Sequence, residues 1–438
     1  MIHGILVSAL LLAPAFAQEL WVDAQSGNNS NPGTPSQPLR SITAALAAAT
    51  PQTHILVRAG TYSVAATGES FPMQFGNGQP HAGVVIQGIG NVVIDLVNAA
   101  GTAMRIGTTA SGGRLTNITF ANMNKADWWT AAISAGTYNG AGSATGFEVD
   151  RCRFIDVNRG IILWQGTPIL DWHIHDNLFV DLGNDGINQF DANSVIEITG
   201  NTIVNTPQLG VLREGNNTTV VGNVFTGCRV GLSSNATAAT TPAHVHHNDF
   251  WNNTLAVEGP SFPGGAVPPG NLAVDPSFVN PATRDYHLRS SSALIDAGDV
   301  NVTLRADIDD DTRHADGNLD GTSAPDIGAD EFTPVHVTTG ASFPGLAVFD
   351  VTTTSSSIAT GYLLFAFDEG LVHLPGLPTI LLDPTTLIPF AFSGALPWRV
   401  ALAVPPNLPS GVRLVAQSFG FAVPPGALVP GNRETLWF

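Results

Sequence analysis

The chain has 438 residues and carries 35 Asp and Glu against 17 Lys and Arg, a formal net charge of −18. The length allows two or three domains, the acidic balance without a basic stripe argues against nucleic acid as a partner, and two cysteines are too few for a disulfide framework. After the first residues no apolar run reaches the length of a membrane span. In chain order, residues 5–12 are apolar and Ala15-Phe16-Ala17 precedes Gln18. That pattern predicts a signal peptide over 1–17 and an exported chain, secreted or held at the cell surface. Trp21-Val22-Asp23 predicts a strand, 26–33 a turn-rich loop, and Ser41 the cap of a short apolar helix over 42–49. Ile55-Leu56-Val57 predicts the next strand, and the helix before it is placed to cover the open end of the first strand layer.

A repeat then sets the fold. Asn177, Asn201, Asn223 and Asn248 share one column with Cys152, at steps of 25, 24, 22 and 25 residues. Phe154, Phe179, Ile203, Phe225 and Phe250 stand two residues later, and Gly160, Gly186, Gly210 and Gly231 form a second column. A unit of this length with no helical period cannot bury its apolar side alone, so units stack. The expected architecture is all-β: a parallel β-helix over 18–332, followed by a C-terminal β-sandwich over 333–438. Asn side chains should bond from coil to coil and the Phe rings should stack inside. At about 4.8 Å per coil, Cys152 and Cys228 stand about 14 Å apart, beyond the roughly 7 Å limit for a bridge. Two buried free thiols are therefore expected. The stretch 122–145 reads as an inserted loop, 259–270 as a break, and 271–332 as an Asp-rich tail. From 334 on, short apolar runs alternate with Pro and Gly, as in a β-sandwich.

Trp21-Val22-Asp23, Gly27, Asn31-Pro32-Gly33, Pro38, Ile42, Ala45-Leu46, Ile55-Leu56-Val57 and Gly60-Thr61-Tyr62 together resemble the N-terminal segment of secreted right-handed parallel β-helix proteins of the pectin-lyase-like superfamily. The tail motifs, among them Ala293-Leu-Ile-Asp-Ala-Gly298 and Asp326-Ile-Gly-Ala-Asp-Glu331, resemble the tail of many such proteins. The resemblance implies the fold, and the long grooves of a β-helix fit extended polymers, so an extracellular glycan or polysaccharide is the expected partner. The chain lacks the Asp pairs and Gly-His-Gly signature of polygalacturonase-like enzymes. It also lacks the acidic calcium cluster beside an Arg of pectate-lyase-like ones.

Alternation along a strand sorts the candidate site residues. With Val149, Ile174, Ile198, Val220 and Val245 inward, one outward row reads Glu148, His173, Glu197, Thr219, His244 and the next Asp150, His175, Thr199, Val221, His246. His173 then lies one coil from Glu148 and from Glu197, an imidazole between carboxylates suited to acid–base work or a metal. The same pattern is also that of a solvated face with compensating charge. A second set lies after the Gly column. Asp156 and Asp181 stand at matching places on adjacent coils as a carboxylate pair, with Asp185, Asp191 and the outward Glu214 close by, Arg213 offers a cation, and Trp128, Trp129, Trp164 and Phe190 a sugar platform. Capping of turns is the other reading of those aspartates. Third, Asp316, Asn318, Asp320 and Gly321 match the start of a calcium loop, with Ile327 where the closing Glu belongs. Asp307, Asp309 and Glu331 are the candidates for the missing oxygen of a structural calcium ion. Two function classes stay open: a carbohydrate-active enzyme, lyase or glycoside hydrolase, and a non-catalytic surface or adhesion scaffold that binds glycans.

Overall fold

The computed structural model describes residues 18–97, 99, 101–127, 129–136, 142–166, 168–237, 241–302 and 306–339, and in the C-terminal region 346–353, 358–366, 369–372, 380–382, 392–403, 413–422 and 428–437. The signal-peptide segment 1–17 and Trp128 therefore lie outside the described residues. Three rows of short parallel strands wind through residues 53–258 as a right-handed β-helix. The first row includes Val85–Asp95, Arg114–Thr116, Glu148–Asp150, Leu170–His175, Val195–Thr199, Thr218–Val221 and Val245–His246. The second runs from Thr119–Ala121 through Arg153–Ile155, Leu178–Val180, Thr202–Val204 and Val224–Thr226 to Asp249–Trp251. The third runs from Met73–Phe75 to Leu255–Glu258.

The repeat columns are the joints between coils. Asn177 Nδ2 donates to Asn201 Oδ1 at 3.0 Å, Asn201 to Asn223 at 2.9 Å, and Asn223 to Asn248 at 3.0 Å. Asn271, outside the five-unit pattern, extends this ladder by accepting from Asn248 at 2.9 Å. Asn177, Asn201, Asn223 and Asn248 are buried, so their amides satisfy backbone groups that water cannot reach. Cys152 ends the ladder, its backbone N–H donating to Asn177 Oδ1. Both cysteines are free and buried. Phe120, Phe154 and Phe179 form one parallel stack and Phe225 and Phe250 another, with Ile203 filling the rung between. The Gly column exists because coils approach closely there. A Cβ on Gly210 would sit 2.5 Å from the Gly231 carbonyl and 2.7 Å from the Phe225 ring.

The helix Ile42–Ala48 forms as expected, with Ser41 capping Ala44 N–H. The buried Glu69 carboxylate accepts from Ile42 and Thr43 N–H, placing negative charge at a helix N-terminus. Ile42, Ala45 and Leu46 join the same apolar core as the coils. The supposed inserted loop contains a regular third-row strand, Ile133–Ala135, paired to the coils on both sides. The tail folds back over the second row. Tyr286, Ile308 and Ala329 cover Leu178, Val180 and Val204, and Leu288, Leu294 and Ile327 cover Val224. From 335 the described strands are antiparallel, with Phe349 of one sheet meeting Phe365 of another at 5.1 Å, as in a sandwich. No helix among the described residues is long and apolar enough to cross a membrane.

Candidate functional site

The first row's outward face carries the most concentrated chemistry. Val149, Ile174, Ile198, Val220 and Val245 are all buried, so parity sends their neighbours outward. His173 pairs in register with Glu148 on one side and Glu197 on the other. Its Nδ1 meets Glu197 Oε2 at 3.0 Å and its Nε2 meets Asp171 Oδ1 at 3.3 Å. Glu148, expected as the second flank of His173, turns diagonally to His175 Nε2 at 2.9 Å. The reason is Arg114, one coil earlier, which holds Asp150 through two bonds of 2.8 and 2.7 Å and stands 3.5 Å from Glu148. His175 completes its bonding with Asp176 at 2.7 Å. His244, expected at the end of the His173 row, belongs instead to the short helix Thr241–His244, and the row ends at Thr219.

These contacts fix the charges. The hydrogen bond with Glu197 raises the His173 pKa, and the same bond lowers that of Glu197. Burial works against a charged His175, yet bonds to Asp176 and Glu148 push it up to about 10. Burial likewise opposes charge on Glu148, but His175 and Arg114 hold it below the usual carboxylate range. A folded pKa of about 10 against the ordinary 6.5 of a histidine gives a definite sign. The stabilisation is complete below the unfolded pKa and is lost as pH rises through the folded one. We expect the wild-type advantage over His175→Gln, on the order of a few kcal/mol, to shrink between pH 6.5 and about 10 in urea titrations. A constant difference across that window would contradict the assignment.

The face is also concave. Glu148, His173, His175, Glu197, Thr199 and Thr219 line a groove of ≈ 550 Å³ that runs on to Val221 and His246. Asp299, Asn301 and Val302 of the tail form its rim. Sequence reasoning missed Arg114, Asp171, Asp176 and Asp299. Of these, Asp176 was open to discovery, since it sits beside the Asn column.

The charged residues of the second set do not come together. Arg213 was offered as a cation for substrate, but it points inward and is 0 % exposed. It donates to the Thr218 and Asn216 carbonyls and to Ser234. Asp181 is bonded to Arg284 of the tail at 2.8 Å and to Asn205. Asp185 is buried against Arg159, Asn188 and Leu209 N–H, and Glu214 accepts from Asn235. The aromatic platform does exist on the third row. Trp164 lies 5.8 Å from Trp129 and 5.7 Å from Phe190, centroid to centroid. Trp164 itself is only 9 % exposed because these neighbours cover it, so the open ring is Trp129 at 56 %.

The proposed calcium ligands are also divided. Asp316 accepts from Asp320 and Gly321 N–H, Asn318 from Asp320, and Asp320 from Thr322. Asp307 lies buried under Asp309, Asp311 and Glu331 N–H, and Asp309 pairs with Arg153 and His287. Ile327, where the closing Glu belongs, is buried in the tail's core. Asp316, Asn318 and Asp320 thus share one loop, whereas Asp307 and Asp309 are bonded elsewhere.

Coil register, Asn ladder and covering tail define a right-handed parallel β-helix protein with a polar groove on one face. A family profile described as "Protein of unknown function (DUF1565)" matches residues 25–262, more than half of the chain. The chain belongs to that family. Among solved structures it is similar to the complex of XylC with xylose, at 10% identity and a TM-score of 0.40 over 53% of this chain and 66% of that one. It is also similar to the GH136 lacto-N-biosidase from Eubacterium ramulus, at 11% identity and 0.33 over 59% and 67%. A rhamnogalacturonan lyase matches at 13% identity and 0.29 over 58% and 62%. The chain thus spans less than two thirds of the first and the last of these. Among curated proteins none matches the sequence.

Proposed function

We propose that this is an exported β-helix protein that binds a neutral glycan along the groove of its first strand row. The observation that supports this most is the groove's periodic wall. Successive coils, about 4.8 Å apart, present His173, Glu197 and Thr219 in one row and His175 and Thr199 in the next. Sugar hydroxyls donate and accept at once, and a wall mixing imidazole and hydroxyl groups with carboxylate acceptors satisfies both. An extended polymer matches a surface that repeats along one axis. The rim adds Asp299, Asp171 stands beside His173, and with Glu148 and Glu197 they make the surroundings acidic, which disfavours uronate chains.

Binding is favoured over cleavage by the charge states. Glycoside hydrolysis needs one carboxylic acid that keeps its proton, and both groove glutamates are held below the usual range. Lyase chemistry needs a free base to take a proton, and the groove's imidazoles and carboxylates are already bonded to one another, His173 to Glu197 and His175 to Glu148. The test is a panel of neutral and uronate polysaccharides, scored for binding, for new reducing ends and for absorbance of unsaturated uronates. Binding of a neutral polymer without either product is the expected outcome. Release of reducing ends would replace this reading with an enzymatic one, and failure to bind any member would sink it.

A further inference from the structure

The residue before the Asn column is left-handed in every coil from Arg151 on: φ is 52° at Arg151, 53° at Asp176, 60° at Gly200, 68° at Gly222 and 52° at His247. Such a turn brings consecutive side chains together, whereas along a strand they would diverge. In two coils the pair is complementary. Arg151 Nε donates to Asp150 at 3.1 Å, and His175 meets Asp176 at 2.7 Å. In the last coil the pair is His246 and His247, with Nδ1 atoms 2.9 Å apart. Two lone pairs or two protons facing each other at that distance repel, so the pair needs either one shared proton or a cation between the nitrogens.

A carboxylate faces the same point. Asp299 Oδ2, from the tail, lies 3.7 Å from His246 Nδ1, and the ligand atoms of all three residues fall within 4.8 Å of one another. Asp299 Oδ1 accepts from both Asn301 N–H groups at 2.9 and 2.8 Å. Those bonds orient the carboxylate and leave Oδ2 directed at the histidines, as second-layer bonds do around metal ligands. Ligands about 2.0–2.1 Å from a tetrahedral ion stand about 3.3 Å apart, between the 2.9 and 3.7 Å seen here.

We propose that His246, His247 and Asp299 bind a divalent transition-metal ion such as zinc. Two imidazoles and one carboxylate suit such an ion better than calcium or magnesium, which take oxygen ligands. His246 and Asp299 also line the groove, so a fourth coordination position faces it. Because Asp299 comes from the tail, His246 from the last first-row strand and His247 from the turn after it, the ion ties tail to coil. The site does not depend on what the groove binds.

Left-handed backbone also supplies a clean variant. Gly200 and Gly222 hold the equivalent position in the two preceding coils, so His247→Gly removes a ligand and relieves strain of roughly 1 kcal/mol. Untagged full chain, stripped with chelator, is titrated with Zn²⁺ by calorimetry, and its melting temperature is read with and without the ion. The site predicts one ion per chain and a higher melting temperature. His247→Gly and Asp299→Asn should each bind at least about tenfold more weakly, with His247→Gly melting no lower than wild type in chelator. His173→Ala should bind as wild type does. Absence of Zn²⁺ binding by wild type, undiminished binding by His247→Gly, or loss in His173→Ala would each overturn the assignment.

Discussion

Replacing Arg313 with alanine is expected to cost about 3–5 kcal/mol, the usual penalty for stranding the partners of a buried ion pair. Arg313 and Asp176 are both 0 % exposed at the side chain. The guanidinium donates from Nε and Nη2 to Asp176 Oδ1, from Nη1 to Glu331 at 3.3 Å, and from Nη2 to the Gly328 carbonyl at 2.7 Å. It thereby joins a β-helix turn to several groups of the tail's own interior. Its loss leaves Asp176 with only His175 and Glu331 without its guanidinium, and water cannot enter without lifting the tail. Lifting the tail in turn exposes Leu178, Val180 and Val204. Because Asp176 also holds His175, the damage should reach the groove. The measurement is the urea midpoint of Arg313→Ala against wild type. A loss under about 1 kcal/mol, typical of a surface pair, would contradict the packing of tail on coil.

Asn201→Ala is expected to be nearly as severe. The Asn201 oxygen accepts from Asn177 N–H at 3.1 Å and from its amide at 3.0 Å. The Asn201 amide donates to the Ile174 carbonyl and to Asn223 Oδ1, each at 2.9 Å. Alanine leaves these partners buried and unmet. At roughly 1–3 kcal/mol for each unsatisfied group, partly relieved by rearrangement, the total is about 3–5 kcal/mol. The same change at Asn271, which is only partly buried and ends the ladder, should cost less. Equal losses at the two positions, measured by the same denaturation, would mean that the ladder does not act as a connected array.

How much of the fold and the groove was legible depends on what the repeat marks. The Asn, Phe and Gly columns fix which residues stack, because side-chain parity and a coil of 22–25 residues leave little freedom. Parity therefore puts His173 between Glu148 and Glu197, as the strand register does. The partner that Glu148 chooses was not legible, because Arg114 belongs to a coil without the Asn marker, and that arginine decides the matter. Ile133–Ala135 was missed for the same reason. Arg213 could have been read: the alternation that sends Leu212 outward sends Arg213 inward, and only the expectation of a charge-free interior hid it. The fates of Asp181 and Asp309 could not be read, since the Asp181–Arg284 and Asp309–Arg153 pairs join coil to a tail that returns over the second row from more than 100 residues away. The pairing of neighbours at the left-handed turns, on which the His246–His247 site rests, needs a backbone angle that composition does not announce.

The groove as the glycan-binding face is tested most directly by titrating the best-bound neutral polysaccharide into wild type, Glu197→Gln and Trp129→Ala. Glu197→Gln keeps the shape of the side chain and removes the charge that faces His173. Trp129→Ala removes the open ring of the third-row platform and leaves the groove untouched. We predict a loss of about tenfold or more for Glu197→Gln at an unchanged melting temperature, with Trp129→Ala binding as wild type does. The reverse result, binding lost with Trp129 and kept with Glu197→Gln, would move the glycan to the aromatic ladder and contradict the groove.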